Sequence, residues 1–497
     1  MTTSWLPIRN ARAFPLSGIP ESQVTEFRDL VVRRVAGGQR LAALFRIPGE
    51  GRARLCAVLA DDREGSLGAT VGVVDGDRYP SLTPDCLQAH LFEREIAENG
   101  GPLPEGHPWL KPVRFPRGSA LPHTSIGDME FYRVEGAEVH EVAVGPVHAG
   151  VIEPGHFRFQ CHGEIVLHLE ISLGYQHRGV EKAFADVAPS VRMHMAETVS
   201  GDCTAGHATA YCGAMEALAH RHVPERARMI RNIAQELERI ACHTGDLGAL
   251  AGDVGFLPTS SFCGRIRGVV LNMTAAICGN RFSRGLIRPG GVKRDIDGQL
   301  VTHLLGQLVS VRRDVTDATN LLWETPTVMA RFDGTGVLGV DDAVALGLVG
   351  PAARACGAAL DVRRSFPYAG YGEVPIETVT EKTGDVLARA RVRSAEIARS
   401  LDYVGNGLLA LPETPLTADE GGASEPRAMV VSMAEGWRGE IVHVAVTDGA
   451  GALSGYKIVD PSFHNWFGLA LCMRNRGISD FPLCNKSFNL SYCGFDL

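Results

Sequence analysis

The sequence has no CxxC: its twelve cysteines stand at 56, 86, 161, 203, 212, 242, 263, 278, 356, 472, 484 and 493, and no two keep the two-residue gap that turns a pair of thiolates onto one metal. It has no basic tract either. Lys and Arg total 49 against 57 Asp and Glu, a net charge of −8, so no run can neutralise consecutive phosphates and no nucleic-acid partner is expected. No window reaches the roughly 18 apolar residues that a membrane span needs, so membrane contact is expected only through partner subunits. The opening MTTSWLPIRNARAFPLSGIP carries prolines and arginines where a signal peptide needs an unbroken apolar stretch, so no secretion signal is expected and the chain is placed in the cytoplasm. Cysteines in that compartment serve as buried thiols or metal ligands rather than disulfides.

What is present is enough apolar material, 45% of 497 residues, for two or three domains with cores of their own. From Arg40 to about Asp75 the short apolar runs RLAALFRI, RLCAVLA and TVGVV, bounded by Gly, Asp and Pro, read as strands of a small sheet, and a helix follows near CLQAHLFEREIAEN. The turn-rich segment RGSALPHTSIGDME interrupts the periodicity, so residues 117–130 are read as a linker between a 1–116 domain and a 131–497 domain. The second domain opens with strand-like GEIVLHLEISL and then turns helical. In PERARMIRNIAQELERIACH, Met229, Ile230, Ile233, Leu237 and Ile240 recur at three- and four-residue steps, with Pro224 suited to the helix start. Further helical patterns cover GQLVSVRRDVTDATNLLWE and TGDVLARARVRSAEIARSLDYVGNGL. LPETPLTADEGGASEPRA then reads as a surface loop, and EIVHVAVTD and GYKIVD read as strands around DGAGALS. The expected class is α+β: a small α/β sheet domain followed by a mainly helical domain with small β elements.

Two strings, GYQHRGVEK at Gly174–Lys182 and IRPGGVKRD at Ile287–Asp295, resemble signature stretches of the complex I D-type subunit and of membrane-bound nickel–iron hydrogenase large subunits. GTGVL at Gly334–Leu338, LGLVGPAARACG at Leu346–Gly357 and DVRRSFPYAGY at Asp361–Tyr371 follow in the order that family uses. The N-terminal part resembles the complex I C-type subunit in YPSLTP at Tyr79–Pro84 and FEREIAENGGPLPEGHPWLKP at Phe92–Pro112. A C-type domain fused to a D-type domain is the arrangement of the formate hydrogenlyase large subunit, so the resemblance spans nearly the whole chain.

In that family two CxxC motifs hold a nickel–iron centre, thiolates being the soft donors that nickel favours. Here the first motif reads Ser200-Gly201-Asp202-Cys203 and the second falls on Ser491-Tyr492-Cys493-Gly494, so only Cys203 keeps a ligand position. Cys493 is one place out of register and is expected to point elsewhere. No metal is assigned. A set of Asp202, Cys203, His207 and Cys493 would mix hard and soft donors without supporting spacing, and buried structural thiols are the simpler account.

The resemblance implies further roles. Glu153 matches the glutamate that passes protons away from the metal thiolates in membrane-bound hydrogenases; a turn-capping glutamate ahead of Pro154 is the alternative. Catalytic candidates are therefore Glu153, Cys203 and His207. The complex I branch binds a quinone headgroup with a histidine on the first glycine-rich loop and a tyrosine beside the first motif. His148 matches the first histidine of that loop, the contacting histidine falls near Pro154 with His156 close by, and the tyrosine position is Gly201. His177 and Arg178 lie where the family meets its iron–sulfur subunit, with an ion pair to Glu181 as the bland reading, and Arg265 and Arg267 match basic positions lining the same cavity. His148, His156, His177, Arg178 and Arg267 are the candidates for cofactor contacts.

The implied function is the large subunit of a membrane-attached oxidoreductase, peripheral on the cytoplasmic side. It would take electrons from a small iron–sulfur subunit, which holds the clusters, to a quinone or other acceptor beside ion-pump-like membrane subunits. No cofactor is firmly assigned to this chain. A non-catalytic scaffold coupling redox to ion pumping and a hydrogenase with an unusual centre are the alternatives.

Overall fold

The computed structural model describes residues 5–119, 121, 125–127, 129–150, 152–418 and 421–497; parts of the expected linker 117–130 and of the loop before Arg427 lie outside the described residues. The fold mixes helix, about 44%, with strand, about 20%, so neither an all-α nor an all-β class applies.

Near the N-terminus, Arg40–Ile47, Ala53–Asp61 and Ser66–Val74 form an antiparallel meander. The far edge of the last strand is shared by Leu6–Ile8, antiparallel, and Glu21–Gln23, parallel. The runs are nearly all apolar because both faces are covered. Helix Val24–Ala36 buries Phe27, Leu30 and Val31 against the sheet. Gly72 permits that approach: a Cβ there would sit 2.6 Å from the Phe27 ring.

Two more four-stranded sheets follow. One runs Arg476–Gly477, Ile165–Ser172, His156–His162, Val139–Val144, and the other Leu453–Val459, Gly439–Thr447, Ala428–Gly436, Arg12–Pro15. The second takes its edge strand from the chain start, so residues 12–15 pair with residues 428–431. Its two central strands are buried along their whole length, with helix Thr204–Leu218 packed against them. Around these sheets pack Glu225–Asp253, Leu257–Cys278, Gly298–Trp323 and Val386–Leu409. The first of them buries all five periodic apolar residues from Met229 to Ile240, and Pro224 stands at its N-cap. Among the described residues no helix is long and apolar enough to cross a membrane.

Buried ion pairs join the parts. Arg40 meets Asp62 at 2.6 Å and Glu440 at 2.7 Å. Glu95 of the N-terminal helix His90–Glu98 receives Lys457 at 2.5 Å and also Arg114, and Lys457 reaches Glu181 at 2.9 Å. Burial opposes the charge on Glu95, but Arg114 and Lys457 outweigh it and hold the carboxyl below its usual range. Removing one member of such a cluster strands the others without a partner. Glu95→Ala is therefore expected to lower unfolding stability by roughly 3–5 kcal/mol, read from urea denaturation midpoints, and a change under about 0.5 kcal/mol would show the cluster to be dispensable.

Candidate functional site

The loop before helix Thr204–Leu218 and the loop before the terminal helix Tyr492–Asp496 meet although they lie far apart in sequence. Ser200 Oγ is 3.0 Å from Ser491 Oγ. Cys203 occupies the N-cap position of the first helix, and Ser491 caps the second, its hydroxyl accepting the Gly494 amide at 2.9 Å. The two sequence motifs thus share one site, held by hydroxyls rather than thiolates.

Two arginines tie these loops together. Arg438 sits with Trp437 in the two-residue turn between the buried strands ending at Gly436 and starting at Gly439. Its guanidinium meets both Asp202 oxygens, at 2.6 and 2.8 Å, and donates to Asn489 O at 2.5 Å and to Ser200 Oγ at 3.4 Å. Burial works against a charged Asp202, yet Arg438 holds its carboxyl below the ordinary range. Arg178 donates to Thr198 O at 2.8 Å, Val199 O at 3.0 Å and Cys493 O at 3.1 Å. The Glu181 ion pair considered for Arg178 does not form; Glu181 belongs to Lys457 instead.

Cys493 is not turned away. Ser491 caps the terminal helix, and the first turn brings the Cys493 thiol to 3.5 Å from Ser491 Oγ. Burial and then the nearby carboxylate of Glu153 push that thiol up. Glu153 also acts on Asp496, whose carboxyl burial lifts to about 6 against the amides of Gln176 and Gly174.

The other candidates separate. Cys203 packs between Gly206 and Gly436; burial, then Glu238 and Asp460, raise its thiol well above the ordinary value. His207 lies 3.1 Å from Asp460 and 3.1 Å from His443, which continues to the Tyr456 hydroxyl at 2.8 Å. His148 and His156 brace the loop of residues 145–155 from either side, on Gly155 O at 3.0 Å and Gly145 O at 3.4 Å. His177 is held on Asp496 O at 2.7 Å. Arg267 lines a cavity of about 290 Å³ with Asp202, Cys242, Asp246, Trp437 and Lys486, whereas Arg265 turns to another groove and pairs with Asp314 at 2.5 Å.

These residues do not fit a nickel–iron centre. Two hydroxyls and a glycine replace three thiolates, and Arg438 brings a fixed cation against Ser200. The Gly494 position is closed as well, since a Cβ there would lie 2.6 Å from the Asp460 carboxyl that His207 and Ser462 hold. Asp202, Cys203, His207 and Cys493 likewise do not converge, and among the described residues no three His, Cys, Asp or Glu side chains do. Arg438, Asp460, His443 and Glu238 escaped the sequence reading; a charged residue in the Gly-Trp-Arg-Gly turn of an otherwise apolar hairpin was the available signal for the first.

Comparison with known proteins agrees with this architecture. Residues 253–427 match the family model of the respiratory-chain NADH dehydrogenase 49 kDa subunit. The chain is 33% identical to formate hydrogenlyase subunit 5 of Escherichia coli over 435 residues, 83% of this chain and 76% of that protein. It is 33% identical to the carbon monoxide-induced hydrogenase of Rhodospirillum rubrum over 351 residues, 70% of this chain and 97% of that protein. A chain in the solved structure of the membrane-bound sulfane sulfur reductase, an archaeal respiratory membrane complex, superposes with a TM-score of 0.68 at 24% identity, covering 74% of this chain and all of that one.

Glu238 offers a titration signature of the site. Its carboxyl accepts the first-turn amides of Ala205 at 2.8 Å and Gly206 at 3.4 Å, but burial dominates and lifts it from 4.5 to about 8. The folded state therefore keeps a proton that the unfolded chain releases near pH 4.5, and stability from this group falls as pH rises to about 8 and then levels. Glu238→Gln is expected to match wild type near pH 5 and to become progressively more stable than it up to about pH 8, by denaturation curves from pH 5 to 9. Parallel curves for the two proteins would contradict the buried, protonated carboxyl.

Proposed function

Because the chain belongs to the family of 49 kDa-type large subunits that complex I shares with formate hydrogenlyase and membrane-bound hydrogenases, we propose that it delivers electrons from an iron–sulfur partner to a quinone or another acceptor, without hydrogen chemistry. The observation that carries this reading is the junction of two loops whose thiolate positions are filled by Ser200, Ser491 and Gly494, with the Glu153 carboxylate near enough to Cys493 to raise its thiol. A two-electron acceptor consumes protons, and Glu153, whose charge bears on Cys493 and Asp496, is the carboxyl assigned to supply them; Asp496, lifted to about 6, exchanges protons readily near neutrality. Arg178 and Arg438 keep both loops in place and so act as positioning residues.

The assignment extends to the rest of the complex. Residues 1–116 serve as the C-type unit and 131–497 as the D-type unit, a small iron–sulfur subunit docks beside His177 and Arg178, and ion-pump-like subunits hold the assembly to the cytoplasmic face of the membrane. One relative, from Pyrococcus furiosus, is itself named a membrane-bound hydrogenase subunit. A coupling subunit without chemistry of its own is the second reading. It is favoured by the buried network in which Glu396 joins His243 at 2.9 Å to Arg354 at 2.8 Å, and Arg354 joins Glu435 at 2.8 Å, ion pairs held in the interior beside the site.

The two readings part at Glu153. In the purified, assembled complex, Glu153→Gln is expected to lower acceptor reduction by roughly 100-fold or more, with Glu153→Asp recovering part of it. Unchanged turnover in the Gln variant would favour the coupling subunit.

A further inference from the structure

The cavity of about 290 Å³ beside the two loops lies at the small end of ligand sites, which run from roughly 300 to 1,000 Å³. Its walls come from the facing helices Glu225–Asp253 and Leu257–Cys278, from Trp437 and from the 486–489 segment. Four charged groups line it: Asp202, Asp246, Arg267 and Lys486. Both carboxylates are already satisfied by arginines from outside the lining, Asp202 by Arg438 at 2.6 Å and Asp246 by Arg393 at 2.8 Å. Neither cation is: among the described residues Arg267 and Lys486 have no hydrogen-bond or ion-pair partner, although Asp253 feels the field of Lys486.

Arg267 is also held in position. Gly245 lacks the Cβ that would stand 2.9 Å from Arg267 Cδ, so the arginine stem lies directly across the facing helix toward the cavity. Cys242, whose thiol donates to Asp202 O at 3.5 Å, stays neutral because burial and the acids Asp202, Glu238 and Asp246 push it well above its ordinary value. The cavity therefore presents two cations without an ion-pair partner among the described residues, with Asp253 alone bearing on Lys486, and no unpaired carboxylate in its lining, next to the loops that carry Ser200 and Ser491.

We propose that this cavity is a binding site for a small, doubly charged anion, held between Arg267 and Lys486, and that the acceptor is an oxyanion of this class rather than a neutral quinone, taking two electrons from the iron–sulfur partner and two protons and leaving as the dianion with one oxygen fewer plus one water. A quinone headgroup offers only neutral carbonyl acceptors, whereas an oxyanion or other compact dianion offers charge-assisted hydrogen bonds to both half-buried cations. The inference rests on the acceptor reading above and narrows its substrate.

The test uses the intact complex at constant ionic strength, with sulfate as the probe ion and a short-chain benzoquinone as the neutral probe. Calorimetric titration is expected to show one saturable sulfate site per large subunit. Arg267→Gln and Lys486→Gln should each weaken it roughly tenfold or more, and Gly245→Val, which displaces the arginine stem, should weaken it as well. Arg265→Gln, in a different groove, should leave it unchanged. Sulfate should also slow acceptor reduction in wild type and lose that effect in the two cavity variants. The proposal is overturned if wild type binds no sulfate, if the variants bind it equally, if sulfate binds without slowing turnover, or if the variants lose the iron–sulfur partner, which would make the cations interface residues. Benzoquinone turnover that survives both cavity variants but not Glu153→Gln would remove the anion assignment and leave the electron-transfer reading standing.

Discussion

Everything at the site depends on two arginines, each bonded to both of the loops that meet there. Arg178 gathers the carbonyls of Thr198, Val199 and Cys493, and Arg438 gathers Asp202 and Asn489. Charge-assisted hydrogen bonds of this kind are about twice as strong as neutral ones, and a guanidinium distributes several of them in a fixed plane. The two organic cations thus cross-link the loops, and Arg438 brings its positive charge against the Ser200 hydroxyl.

The same logic runs outward through the molecule. Buried ion pairs are costly to desolvate and become favourable only when every member is matched. Arg40 with Asp62 and Glu440, and Glu95 with Lys457 and Arg114, meet that condition and fasten the N-terminal sheet to the rest. The departures from matching are therefore informative. Among the described residues Glu238 is buried without an ion-pair partner and burial lifts its carboxyl to about 8, while Arg267 and Lys486 line a cavity whose carboxylates are already paired with other arginines. Both departures lie beside the two loops, where function tolerates what the core does not.

Much of the architecture is legible in the sequence because it is local. The periodicity of Met229, Ile230, Ile233, Leu237 and Ile240 becomes the buried face of Glu225–Asp253, and the apolar runs after Arg40 become the meander. The replaced ligands at 200, 491 and 494 are equally plain as residue types. Contacts between distant segments are not. His207 stands four residues after Cys203, yet its ring is set by Asp460 and His443, which only the fold brings near. Cys493 reads as out of register until Ser491 is seen to cap a helix whose first turn returns the thiol to the site. Arg438 carries no motif of its own; its importance comes from a hairpin register that places Gly436 opposite Gly439.

The central claim is that Ser200, Ser491, Gly494 and Arg438 have converted a thiolate metal site into a hydrogen-bonded junction. Elemental analysis combined with electron paramagnetic resonance of the intact purified complex tests this most directly. The account predicts nickel far below one atom per large subunit. One nickel per large subunit, with a matching paramagnetic signal, would contradict it.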